Sequence, residues 1–279
     1  MRFIKRYTKS MVMSFFVVSI VSVSLCKSVI AEDEVTLAFP DKWTIRAGAY
    51  IIDNADTSVA VFSDVGIGGG INFTDTLGGE DSGTVPRLDV LYRFNKKHAI
   101  DFSVFSIDRQ GSTTLTVDLD IGNETFFASE TLNSDIKYTL YRIGYNYSFY
   151  HSDKVELRLT AGLNITDYEL KFEVVNGGKL EKADVSVPLP LFGLRMGYAI
   201  TPKWYVNYVA ETFFIEIEDA FKGSLFSYEL NTEYRLFKHF SLGAGFARIG
   251  VDADIDDDGW KGRITDSYRG FTAFGKFYF

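Results

Sequence analysis

Cysteine is almost absent from these 279 residues: Cys26 stands alone, so no intrachain disulfide can form and a fold must hold by packing and backbone hydrogen bonds. Proline is nearly as rare, at 5, and no Pro-rich or Ser-rich stretch marks a linker, which argues for one domain. Positive charge is in deficit, with 29 Lys and Arg against 37 Asp and Glu. Nucleic-acid binding, which rests on neutralising phosphates, is excluded as a main activity. Histidine is down to three, His98, His151 and His239. Past residue 31 there is no apolar run long enough to cross a bilayer as a helix.

The first 31 residues are different. Arg2, Lys5, Arg6 and Lys9 precede an apolar run from Met11 to Leu25 and then Val29-Ile30-Ala31, the layout of a secretory signal peptide. The run is shorter than the roughly 20 residues of a spanning helix, and Leu25 is too large to precede a lipidated Cys26. Cleavage is expected after Ala31, leaving residues 32–279 as a single domain. Residues 1–31 carry five basic and no acidic side chains, so the net charge goes from −8 to −13 on their removal.

What the remaining chain has in quantity is aromatic side chains and period-2 alternation. From Val155 to Ile165 the odd positions are Val, Leu, Leu, Ala, Leu and Ile, while Glu156, Arg158, Thr160, Gly162 and Asn164 lie between them. Eleven residues of this kind match the 9 to 11 that a tilted strand uses to cross hydrocarbon. The pattern repeats at 86–94, 141–149 and 226–236, and less sharply at 44–52, 98–107, 191–200, 203–215 and 240–249. Phe271, Ala273, Gly275, Phe277 and Phe279 continue it to the C-terminus. Short polar turns at 95–97, 151–153, 201–203 and 238–239 alternate with long segments at about 53–84, 108–135, 168–184, 216–223 and 251–267.

Together these predict an all-β fold: a single transmembrane antiparallel up-and-down β-barrel with both ends in the periplasm, closed because lipid cannot satisfy an open sheet edge. Ten strands is the preferred number. Twelve would result if 57–63 and 68–74 were spanning strands, and eight if a weak pair were not embedded; those two segments and 113–120 are expected in hairpins above the membrane.

The last strand resembles the C-terminal recognition signal of bacterial outer-membrane barrels, carried here by Phe271, Phe277 and Phe279. Thr84-Val85-Pro86-Arg87 leading to Tyr92-Arg93-Phe94, the stretch from Tyr147 to Leu157, Tyr198 to Trp204, and Glu233 to His239 resemble small, mostly uncharacterised Gram-negative outer-membrane barrels, broadly outer membrane protein W-like. The resemblance implies location in the cell outer membrane after export, and the barrel fold, with no particular reaction. It implies as partners outer-membrane lipid, lipopolysaccharide and, during biogenesis, the barrel-assembly machinery. W-like barrels are associated with a hydrophobic interior, whereas the interior expected here is charged.

That interior is the candidate site. The polar faces of the strands place Arg46, Arg87, Arg93, Arg142, Arg158, Arg195 and Arg235 inside with Asp89, Asp101, Glu156, Glu211, Glu229 and Glu233. Near-balanced buried charge reads either as a structural network, since buried charges persist when paired, or as the lining of a narrow pore. A general porin is excluded, because wide aqueous lumens need about 16 to 18 strands. All three histidines fall at predicted periplasmic turns, which removes the usual general base from an outward-facing active site. Carboxylate-only chemistry stays open.

The sequence therefore points to a non-enzymatic barrel with a largely filled lumen and extended acidic loops, in an envelope or surface-interaction role. The alternative is a narrow passive channel for small polar solutes or ions.

Asp254, Asp256, Asp258 and Gly259 have the opening spacing of a calcium loop, but the twelfth position is Thr265 where a bidentate Glu belongs. Weak Ca²⁺ or Mg²⁺ capture over 252–259 stands beside the plainer reading of a solvated acidic loop, and no other cofactor is expected. Gly66 to Gly70 lacks the following lysine and helix of a phosphate cradle. Trp43 and Trp204 read as interfacial anchors. Oligomeric state leaves no trace in the sequence.

Overall fold

A computed structural model describes residues 42–63, 66–121, 124–175, 177–217, 221–257 and 260–279. The expected signal peptide lies outside the described residues.

Strand-rich, turn-punctuated sequence gives strand-dominated structure. The elements are β1 (Trp43–Ser63), β2 (Gly66–Asn72), a five-residue helix α1 (Phe73–Leu77), β3 (Gly83–Arg93), β4 (His98–Thr114), β5 (Leu119–Ile121), β6 (Glu124–Phe126), β7 (Thr131–His151), β8 (Val155–Val174), β9 (Leu180–Ala199), β10 (Trp204–Ile217), β11 (Phe221–Phe237), β12 (Phe240–Asp257) and β13 (Trp260–Tyr278). Ten of the strands pair in the antiparallel order β13-β12-β11-β10-β9-β8-β7-β4-β3-β1, and β13 pairs back to β1 to close the barrel. The preferred count of ten holds. β2 pairs only with β1, taking the place beside it that β3 occupies lower down, and β5 and β6 form a separate small hairpin.

The seam runs the whole length of β1, from Thr44 opposite Tyr278 to Phe62 opposite Lys261, with one bulge between Ile52 and Asn54. Below it, the Trp43 amide donates to the Phe279 carbonyl at 3.1 Å and the Phe279 amide returns a bond to Trp43 at 2.9 Å. Both ends of the described chain and the four short turns therefore share one rim, which is the periplasmic side if the long connections face outward.

Side chains sort by environment along each strand. On β7, Tyr141, Ile143, Tyr145, Tyr147 and Phe149 are exposed on the outer wall. Phe192, Leu194, Met196 and Tyr198 on β9 and Phe271 and Phe277 on β13 do the same. Exposed apolar surface continuous around a closed wall is what lipid, and not water, stabilises. Trp43 and Trp204 sit exposed at the short-turn rim, where amphipathic rings meet headgroups.

Several strands are about twice the length needed to cross hydrocarbon; β7 has 21 residues. Above the lipid-facing band the same positions still face in and out, but the polarity of the two rows exchanges. Lys137 and Glu169 pair across β7 and β8 on the outside at 2.8 Å, while Leu132, Ile136, Phe172 and Val174 turn inward to pack on Phe73 and Leu77 of α1. The segments expected as long loops thus correct to strand: 53–63 belongs to β1, 108–114 to β4, 168–174 to β8 and 251–257 to β12. Cross-strand bonds carried beyond the membrane take up both ends of each long segment and leave the middle as the connection.

The helix is set by its caps. Asn72 accepts hydrogen bonds from the Thr74 and Asp75 amides, and Gly78, at φ 64°, supplies the left-handed residue that ends it.

Candidate functional site

Ten strands that alternate in facing converge their polar rows on the barrel axis. All thirteen charged residues assigned to the lumen line one cavity of about 220 Å³. A further cation lines it as well: Lys276, on β13, at the polar position between Gly275 and Phe277, which the aromatic face of that strand masks in the sequence.

The charges form three linked groups. In the first, Arg46 donates to Asp89 at 2.6 Å and to Glu229 at 2.5 Å, and Arg87 contacts the same two carboxylates at 3.0 and 3.1 Å. Ser103 also donates to Asp89, and Asn231 to Glu229 at 3.0 Å. In the second, Asp101 takes Arg142 at 2.6 Å and Arg195 at 3.4 Å, with Asn146 as a further donor. Glu211 takes Arg195 at 2.9 Å. The Arg142 Nη2 lies 2.6 Å from Glu211 as a charge contact that is not aligned as a hydrogen bond. Glu156 holds Arg93 through both oxygens, at 2.9 and 3.3 Å, and has Arg158 at 3.7 Å. In the third, Glu233 binds Lys276 at 2.9 Å and the Tyr278 hydroxyl at 2.8 Å, while Arg235 stacks over the rings of Tyr278 and Tyr205 at 4.5 and 5.5 Å. Shared acceptors make this a network in which removing one carboxylate strands more than one cation.

A second layer lies outward of the ionic one. Tyr50, Ile52, Phe105, Ile107, Tyr138, Leu140, Ala247, Ile249 and Tyr268 pack as one buried apolar cluster, contributed by five barrel strands and, through Val85, by β3 as well. Above it, Asp266 accepts from Thr57 at 2.5 Å, from Tyr268 at 3.0 Å and from Tyr168 at 3.1 Å. Arg109 reaches Thr57, the carbonyls of Glu80 and Ala55, and the Thr74 hydroxyl, and its guanidinium lies over the Phe73 ring. Burial holds Asp266 above the usual carboxylate range, against the pull of those donors and of Arg109. This polar knot ties α1 and its flanks into the barrel mouth. It was missed in the sequence because its members fall in segments taken for loops.

The other candidates separate. His98 opens β4, His151 closes β7 and His239 lies in the turn after β11, so all three sit at the short-turn rim. Phe271 and Phe277 point outward and Phe279 follows the last strand, also exposed. The acidic stretch 252–257 is strand, not loop, and Asp254 opposes Arg263 at 3.6 Å, which also holds Asp252 at 2.7 Å. A strand keeps its residues in an extended row, whereas a calcium loop folds its ligands around the ion. Asp258 and Gly259 lie outside the described residues, and among those described no acidic or His cluster has metal-holding geometry.

The outer membrane protease OmpT of Escherichia coli superposes on this closed ten-stranded wall with a TM-score of 0.56, covering 86% of this chain and 98% of its own at 10% identity. The fold is that of an outer-membrane β-barrel. Looser likenesses to OprG of Pseudomonas aeruginosa (TM-score 0.40, 14% identity, 86% of this chain and 98% of that one) and to the toluene transporter TodX of Pseudomonas putida (0.34, 11%, 88% and 92%) carry no argument. No protein-family model and no curated protein matches the chain. At 10% identity the OmpT likeness gives the barrel its architecture and no activity.

Proposed function

We propose that this is a non-enzymatic outer-membrane barrel, exported by way of residues 1–31, whose lumen is closed by ion pairs and whose tall outer half serves an envelope or surface-interaction role. The observation that carries this reading is the stacking of two dissimilar layers across the lumen: a network of paired charges, and outward of it the apolar cluster around Tyr50, Tyr138 and Tyr268. An ion moving through would have to break the first and then cross the second, where tyrosine hydroxyls are the polar groups the cluster supplies. The histidines at the opposite rim support a non-catalytic mouth.

In planar bilayers the purified barrel is expected to be electrically silent. Reproducible conductance steps would favour the second reading, a narrow passive channel for small polar solutes or ions, which the 220 Å³ cavity supports.

Lipopolysaccharide is the proposed surface partner. Arg248 and Arg269 stand opposite one another on β12 and β13, facing outward just above Phe246 and Phe271. Nine residues separate this row from the C-terminus, the length of one crossing. Like charges side by side destabilise a sheet. Arg269 has Asp53 at 3.6 Å, whereas Arg248, among the described residues, lies by the Phe226 ring at 5.8 Å. Phosphates of the outer leaflet complete the pair. Neutralising each arginine to Gln should weaken lipopolysaccharide binding by about fivefold, since a basic side chain near an anionic surface contributes about 1 kcal/mol. Equal retention by wild type and the double variant would remove this partner.

The barrel-assembly machinery is the proposed partner in biogenesis, engaging the outward Phe271, Phe277 and Phe279.

A further inference from the structure

We propose that the lumen holds a small inorganic anion, a phosphate-like oxyanion or a halide, at Arg158 and Arg195. The cavity is lined by eight cationic side chains and six carboxylates. Surplus positive charge enclosed by a wall that faces lipid is costly unless something compensates it.

The surplus can be located. Arg46 and Arg87 are matched by Asp89 and Glu229. Arg235 faces one carboxylate too few, but two tyrosine rings lie under it, and ring faces attract a cation. The remaining excess falls on Arg158. Its carboxylate neighbour is Glu156, at 3.7 Å, and both oxygens of Glu156 are already engaged by Arg93. Directly across the strand pair stands Arg195, another cation. The Nε atoms of both arginines are buried without a hydrogen-bond partner.

Facing residues on paired strands keep their Cβ atoms about 5 Å apart. Two guanidinium groups therefore stand side by side on the cavity wall; Arg195 is held by Glu211 at 2.9 Å and Asp101 at 3.4 Å, carboxylates it shares with Arg142, which leaves Arg158 without an acid of its own. Planar guanidinium donors suit an oxyanion, which can accept from the Nε of each. The site does not depend on whether the lumen conducts, so its test is separate from the bilayer measurement.

The test follows the unfolding midpoint of the intact barrel in octyl glucoside micelles as inorganic phosphate is added, with ionic strength held by a bulky sulfonate salt. At a hundredfold excess over half-saturation the wild-type midpoint should rise by about 5 °C or more. R158Q should lose this response and R158K keep part of it. No rise in wild type, or an equal rise in R158Q, overturns the proposal, the latter because it would mark a salt effect only. Should R158Q fail to refold, wild-type crystals grown in bromide decide the matter: an anomalous peak in contact with Arg158 supports the site, and its absence rejects it.

Discussion

Glu229→Ala should lower the stability of the barrel by about 3 to 5 kcal/mol, the usual consequence of removing one partner from a buried ion pair. Glu229 is 8% exposed and holds Arg46 through both oxygens, at 2.5 and 3.1 Å, and Arg87 at 3.1 Å. Its loss leaves two guanidinium groups sharing Asp89. The destabilisation comes from that stranding more than from the missing attraction, so a variant that removes charge of both signs should recover most of it. Arg46→Met/Glu229→Met keeps the Arg87–Asp89 pair at 3.0 Å and is expected to lie within about 1 kcal/mol of wild type, as apolar replacements of buried pairs often do. Urea unfolding in micelles reads both. A loss below about 1 kcal/mol in the single variant would mean that water in the cavity solvates the arginines, and the closed-lumen reading would fail.

Gly270→Val is expected to prevent closure. Gly270 pairs with Ile52 on the seam, beside the bulge at Ile52/Asn54. A Cβ there would lie 2.0 Å from the Ile51 carbonyl oxygen and 2.8 Å from the Ile52 Cα. Both are backbone atoms, so no rotamer change relieves the clash, and β1 must move away from β13. A parted seam exposes unpaired amides and carbonyls at the lipid boundary, where nothing can satisfy them. The expected loss exceeds about 3 kcal/mol, and on a cold SDS gel the compact form that wild type shows before boiling should be missing. Recovery of that band at wild-type yield would refute the argument.

The sequence was most legible where one side of the wall meets lipid. On β8 the row Leu157 to Ile165 faces hydrocarbon and the row Glu156 to Asn164 faces the lumen, so period-2 alternation reads directly as outside and inside. The thirteen lumen charges followed from this parity alone. Lys276 obeyed the same parity and was overlooked. The outer half was illegible for a specific reason: outside the bilayer the wall meets water, and the polar and apolar rows exchange faces. Lys137, Glu169 and Lys171 are then outward and Ile136 and Phe172 inward. A reader expecting a greasy exterior sees charged, broken segments there and assigns loops. Nor could local pattern show that Thr57, Arg109, Tyr168 and Asp266 meet, since they come from four strands far apart in the chain. Closure, by contrast, is a global demand, and four short turns with five long segments between strands lead to ten strands.

The length of β7 and its neighbours has a mechanical consequence. A strand of 21 residues rising about 3.4 Å per residue at a tilt near 40° stands roughly 55 Å tall, against a hydrocarbon-facing band of about 25 Å. The hairpin tips are therefore carried some 20 to 30 Å clear of the lipid by hydrogen-bonded sheet with its own packed core. Such a turret does not bend with thermal motion as a tethered loop does, so for the proposed surface role it would hold a contact surface at a fixed height above the lipid.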